Sequence, residues 1–199
     1  MAIELGNGKD AVPLLKKAAN FFREDGKADK GAEVLCKAAQ AMGEADVDAA
    51  LECFADAVEI LADDDKDFKA GPTYKLAISF ALQHEQNKMA VDLLKRQIVA
   101  AGKLEHMHQV HKCQLSIVIV HLHSDDLAAA QQFQSEQLAT DATGYPGSTD
   151  AELASRILAA YEARDQEALS AATAEQHITF LDNQVARVAK KLSVSEVEL

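Results

Sequence analysis

Histidines at positions 108, 111, 121 and 123 are the side chains of this sequence best suited to bind zinc or a neighbouring metal, because neutral imidazole is a common ligand. His108 and His111 share a helical face. His121 and His123 are two residues apart and point different ways on a helix, and no carboxylate or cysteine stands at a spacing that would complete a ligand set. Cys36, Cys53 and Cys113 are odd in number, lie within helical patterns and have no metal-like spacing, so they read as buried reduced thiols. Gly6-Asn7-Gly8-Lys9 lacks the pattern of a phosphate-binding loop and follows no strand. No serine, cysteine or carboxylate sits in a recognisable catalytic motif, so the sequence predicts no enzyme, no cofactor and no metal site. The remaining chemistry is electrostatic. Lys37, Lys75 and Lys112 recur 38 and 37 residues apart. A basic stripe along one face accounts for them, and so does the ordinary scatter of lysines over exposed helix faces.

The elements that must position these charges are helix pairs. Over Gly31 to Leu61, Val34, Leu35, Ala38, Ala39 and Met42 form one apolar face, and Val47, Ala50, Leu51, Phe54, Ala57, Val58 and Leu61 form a second. Gly43-Glu44-Ala45 makes the turn between them. Small residues at 38, 50 and 57 let the backbones approach, and Phe54 fills the space beside them. This is the pattern of tetratricopeptide-type repeats. Its second-helix signature returns at Ala11, Ala50, Ala90, Ala129 and Ala168, which are 39, 40, 39 and 39 residues apart. The fold class is therefore all-α, with stacked antiparallel hairpins forming one superhelical array.

Asp10 is expected to cap the first helix, which ends near Asp25, with Pro13 in its first turn. Phe21-Phe22 could anchor to a membrane, yet their place in a periodic helix assigns them to the core. Asp63-Asp64-Asp65 makes an acidic turn, and Pro72 opens a helix carrying Tyr74, Ala77, Ile78, Ala81 and Leu82. Met89 to Ala101 follows as its partner. Leu104 to His123 is read as the longest first helix of a pair, apolar almost all round from Leu115 to Leu122. The Ile117 to Val120 run alone could be a strand, but nothing else in the chain could pair with it. Asp125-Asp126 starts a helix from Leu127 to Ala139, and Thr140 to Ser148 is the one long loop. The architecture is expected to change there, with repeats over residues 1–140 and a helical bundle with a short acidic tail over residues 141–199. Thr149 with Glu152, and Thr173 with Gln176, suit capping boxes for the last helices, and in the final one Ile178, Leu181, Val185, Val188 and Leu192 recur at three- and four-residue steps.

The 199 residues include no tryptophan and carry a net charge of −12, unevenly placed. Residues 46 to 65 hold 8 acids and no base, residues 66 to 123 hold 8 bases against 4 acids, and residues 124 to 199 hold 13 acids against 5 bases. Solvated helix faces explain this layout, and so do two partners of opposite charge. No run approaches the roughly 18 apolar residues of a membrane span, and MAIELGNGKD lacks the regions of a signal peptide, which predicts a cytosolic protein.

The order of motifs resembles the soluble NSF attachment proteins, in particular their gamma type. The likeness rests on DAVPLLKKAANFF, AALECFADAVEIL, VHLHSDD followed by LAAAQQF, PGSTD at Pro146 to Asp150, ILAAYEARDQEAL and FLDN. It implies a right-handed α-solenoid of tetratricopeptide-like hairpins. It also implies an adaptor that binds SNARE complexes of the syntaxin type and recruits the ATPase NSF for their disassembly. The setting would be vesicle-mediated and ER–Golgi protein transport and membrane fusion, with the protein cytoplasmic, peripheral to secretory-pathway membranes and without a nucleic-acid partner. On this resemblance Lys37, Lys75 and Lys112 are candidates for the SNARE-binding face, and Glu162, Asp165, Glu167, Glu196, Glu198 and Leu199 for the NSF-binding end. Family members carry further N-terminal repeats with a membrane-touching apolar loop, and this sequence is expected to begin after them. Its SVSEVEL tail is similar to the short acidic tail of the alpha type. The alternative reading is a generic repeat scaffold that binds peptide segments of another partner.

Overall fold

The structure, a computed structural model, describes residues 8–194. Among the described residues it contains α-helices and short 3-10 turns and no strand, as an all-α fold of stacked hairpins requires. The chain divides into two compact units, Met1–His84 and Glu85–Leu199.

The first unit holds α1 (Gly8–Glu24), α2 (Ala28–Met42), α3 (Val47–Asp63) and α4 (Gly71–Gln83). Helices α2 and α3 form the expected antiparallel pair, joined by a 3-10 turn at Gly43–Ala45. Ala38, Ala39, Ala50 and Ala57 are sealed from solvent, and Phe54, only 1% exposed, is buried with them, its ring centroid 5.5 Å from that of Phe80 and tilted by 50°. Burying a phenylalanine this fully contributes roughly 1.5–3 kcal/mol. Helices α1 and α2 also approach closely. A Cβ built on Gly31 would lie 2.9 Å from the Ala19 carbonyl oxygen, so only glycine fits that crossing. Across one repeat, bases of α1 meet acids of α3: Lys16 Nζ lies 3.0 Å from Asp56 and 3.4 Å from Glu52, and Arg23 lies 2.9 Å from Asp63.

Two expectations for α1 are corrected. Gly8 and Lys9 are already helical, so Asp10 stands inside the helix rather than at its cap, and Pro13 lies further in, where it removes one helical N–H. Phe21 is 69% exposed and Phe22 only half-buried. The buried face is centred on Ala19, against Gly31, and a residue two positions on points about 200° away around the helix.

The second unit holds α5 (Asn87–Lys103), α6 (Met107–His123), α7 (Leu127–Leu138), α8 (Thr149–Glu162), α9 (Gln166–Thr173) and α10 (Asn183–Ala189). Helix α6 is its axle. It packs on α5, α7, α8 and α10, which explains why Cys113 to Val120 is buried on every side. At 17 residues it is the longest first helix of a pair among the described residues, against 15 in α2, 13 in α4 and 14 in α8, although Leu104 to His106 belong to the turn before it. The long loop is pinned by Tyr145, which is 0% exposed and donates its hydroxyl to Gln134 Oε1 at 2.9 Å. Gln134 in turn donates to the Ala151 carbonyl and to Ser155. Ser148, not Thr149, caps α8, accepting the Ala151 N–H at 3.1 Å. Likewise Thr173 ends α9, its hydroxyl bonded back to the Leu169 carbonyl, and the last helix starts ten residues later, at Asn183 behind the Asp182 cap. The apolar positions expected there, Ile178, Leu181, Val185, Val188 and Leu192, are all buried.

One turn geometry recurs through both units. The amides of Lys27, Lys66, His106, Asp126 and Asp165 donate to carbonyls five residues back, at 2.8–3.0 Å, and the residue before each is left-handed. This is the Schellman ending, which satisfies helix carbonyls that would otherwise lack partners. Only the first instance uses glycine, Gly26. Asp65, Glu105, Asp125 and Arg164 hold φ between 54° and 58° despite their side chains, at a cost of about 1–2 kcal/mol each.

Two stability outcomes follow. Gly31→Ala lowers unfolding free energy by about 1–3 kcal/mol in a urea titration, because the clash at Ala19 outweighs the helix propensity gained. Glu105→Gly raises it by about 0.5–1 kcal/mol, since relief of left-handed strain exceeds the added chain entropy, and thermal melting shifts upward by about 1–3 °C.

Candidate functional site

The structure places Lys37 on α2 and Lys75 on α4, both exposed and both in the first unit. These helices touch where the Cys36 thiol lies 4.0 Å from the Thr73 hydroxyl, one and two positions from the two lysines. Lys37 Nζ lies 2.7 Å from Glu33 on the same helix, and its ammonium holds the Glu33 carboxyl below its ordinary range. An exposed pair of this kind is weak and leaves the lysine available to a stronger anionic partner. Lys75 makes no ion pair among the described residues. Lys112 lies on α6 in the second unit and is half-buried, its carbonyl accepting the Ser116 hydroxyl at 2.7 Å.

The acidic candidates converge. Glu162 ends α8, Asp165 caps α9 by accepting the Ala168 N–H at 2.9 Å, and Glu167 sits in the first turn of α9. All three are exposed, on a corner only six residues long. Carboxylates at a helix N-terminus are favoured by the unpaired N–H groups there, so Asp165 and Glu167 also hold α9 in place. Glu196, Glu198 and Leu199 lie outside the described residues.

Beside this corner runs a groove of about 470 Å³ floored by alanines, among them Ala159, Ala163, Ala168 and Ala171. Arg156 and Glu175 also line it, facing each other through two hydrogen bonds. The contact keeps the Glu175 carboxyl below and the Arg156 guanidinium above their ordinary ranges. Sequence reasoning missed this pair. Its members are 19 residues apart on different elements, so no helical period links them.

The groups with chemical potential are spent on structure. Burial pushes the Cys113 thiol up to about 12 and also raises those of Cys36 and Cys53, away from the thiolate that nucleophilic chemistry needs. His111 Nε2 lies 2.8 Å from the Thr143 carbonyl and its ring 5.7 Å from Tyr145, while burial lowers the pKa of His121. Among the described residues no three His, Cys, Asp or Glu side chains are grouped to hold a metal ion. Nor is any described helix long and apolar enough to cross a membrane.

Comparison with known proteins gives this arrangement a context. A family model described as soluble NSF attachment protein, SNAP, matches residues 2–191. The chain is 32% identical over 199 residues to a gamma-soluble NSF attachment protein of Dictyostelium discoideum, covering 100% of this chain and 61% of that protein. It is 28% identical over 197 residues to a protein of the same name from Arabidopsis thaliana, covering 99% of this chain and 67% of the relative. The chain thus spans about three fifths of the Dictyostelium relative's length. With the family model matched along nearly its whole sequence, the chain belongs to the soluble NSF attachment protein family.

Proposed function

We propose that this chain is an adaptor that lies against an acidic SNARE bundle of the syntaxin type and recruits the ATPase NSF to disassemble it. It works in vesicle-mediated transport, at the cytoplasmic face of secretory-pathway membranes, and carries no catalytic chemistry of its own. The observation that supports this reading is the placing of opposite charges on different elements. Exposed Lys37 and Lys75 stand on neighbouring helices of the first unit, and exposed Glu162, Asp165 and Glu167 cluster at the α8–α9 corner of the second. Basic side chains attract the bundle, and the carboxylate corner, within the expected bundle of residues 141–199, offers the ATPase a charged contact. Lys112, half-buried on α6, is assigned to the first contact as well. Glu196, Glu198 and Leu199 are assigned to the second contact. The alanine-floored groove supports a different reading, a scaffold that seats a peptide segment of another partner.

Immobilised SNARE bundle retains the protein, and raising the salt from about 0.05 to 0.5 M releases it as the Debye length shrinks. Lys37→Glu with Lys75→Glu weakens retention about tenfold, equivalent to about 1.4 kcal/mol, without changing the thermal melt. Glu162→Lys with Glu167→Lys leaves retention intact but abolishes NSF capture in the ternary complex. Salt-insensitive or absent retention, with a short peptide captured instead, decides for the scaffold.

A further inference from the structure

Gln166 opens α9 directly after the Asp165 cap, between the carboxylates of Asp165 and Glu167. Its side-chain oxygen accepts the backbone N–H of Val194 at 2.9 Å, across 28 residues of sequence. Its amide nitrogen lies 2.9 Å from the Ser170 hydroxyl, about one helical turn further along α9. A backbone N–H can only donate, so Oε1 must face Val194 and Nε2 must face Ser170. The two contacts together hold the amide in one orientation. Just before Val194 the side chain of Leu192 is buried, 6% exposed. The chain that leaves α10 is therefore seated through Leu192 and then tied at Val194, with no regular secondary structure between them.

This tie decides where the carboxylates that follow it can act. Glu196 is two residues beyond Val194 and Glu198 four, so at about 3.5 Å per residue chain length alone keeps them within roughly 7 and 14 Å of it. Asp165 and Glu167 are the immediate neighbours of Gln166. Both acidic groups assigned to the second contact are thus confined to one end of the second unit. Charge alone would not gather them, because carboxylates repel one another and exposed Lys190 and Lys191, just upstream, offer them an opposite charge instead. A hydrogen bond between two uncharged groups holds the root of the tail beside the corner without adding to that repulsion.

Resting on the reading of this end as the NSF contact, we propose that Gln166 is a positioning residue that joins the C-terminal tail to the α8–α9 corner, so that NSF meets one continuous carboxylate surface. Its effect is entropic. A root that is already fixed need not be ordered when the partner binds, and ordering one further residue of backbone costs about tenfold in affinity.

The test is capture of NSF by the full chain on immobilised SNARE bundle. Gln166→Ala lowers the affinity for NSF about tenfold, while SNARE retention is unchanged and the circular dichroism melt stays within about 4 °C of the parent protein's. Val194→Pro removes the donor instead of the acceptor and has the same effect, and the two substitutions together are no worse than either alone. In a chain already carrying Glu196→Gln, Glu198→Gln and Leu199→Ala, Gln166→Ala has no further effect on capture, an outcome that a merely structural role for the glutamine does not produce. Hydrogen exchange gives a readout without NSF: the Val194 amide is protected in the parent protein and loses that protection in Gln166→Ala. The inference is overturned if Gln166→Ala captures NSF like the parent, if the losses from Gln166→Ala and Val194→Pro add, or if the parent's Val194 amide exchanges freely. A parent protein that captures no NSF is a separate failure, which overturns the reading of the corner and this inference with it.

Discussion

The close approach of helix backbones is the constraint on which the rest of the structure depends. At the α1–α2 crossing there is no room for even one methyl group on Gly31, and in the α2–α3 pair alanines at 38, 39, 50 and 57 bring the axes together. Contacts this close gain dispersion energy from many atoms at once. They also fix which residues remain outside. Once Ala19 is committed to the crossing, Phe21 must face outward whatever its hydrophobicity. The charged side chains are distributed by the same rule, because each helix has one narrow face spent on packing and the remaining arc is left to solvent or partners.

The exposed arcs are not equivalent from repeat to repeat. In the first unit, α1 and α3 meet in ion pairs across one repeat length, in which Lys16 and Arg23 offset two of the 8 acidic charges of the 46–65 stretch. In the second unit the same step from Lys88 and Lys95 of α5 leads to Ala128 and Ser135 of α7, which carry no charge. A repeat protein can therefore keep its packing code constant and vary only the pairing of its surface charges. The same scaffold then offers paired, basic and acidic faces on successive elements.

What was legible in the sequence follows from this division. The alanine and leucine spacing located the α2–α3 pair, the buried axle of α6 and the apolar positions near the C-terminus, because burial imposes a period that reads directly as residue type. Surface features leave a weaker trace. The left-handed turn residues were missed because aspartate, glutamate and arginine occupy positions where glycine would have signalled a helix end. Ser148 was passed over for Thr149 because a cap depends on which residue leaves helical geometry first, a matter of one position. Tyr145 stood in a stretch with the composition of a loop, and only its tertiary partner Gln134 explains its burial. The carboxylates at 162, 165 and 167 were found by resemblance, and the structure adds the reason they cluster. A Schellman turn at Arg164 reverses the chain between the end of one helix and the cap of the next.

That corner shows how structural and interactive roles can share residues. Asp165 is needed to hold the first turn of α9, so it cannot be varied freely for binding, whereas Glu162 and Glu167 flank it with no cap to maintain. A partner that reads the corner therefore gains one carboxylate whose position is set by a backbone hydrogen bond and two that can adapt around it. The rigid member reduces the side-chain entropy lost on association, and the adaptable ones tolerate small differences in approach. Placing a recognition charge on a helix cap is economical in this sense, because the same carboxylate that accepts the Ala168 N–H and stabilises α9 is also the charge a partner meets.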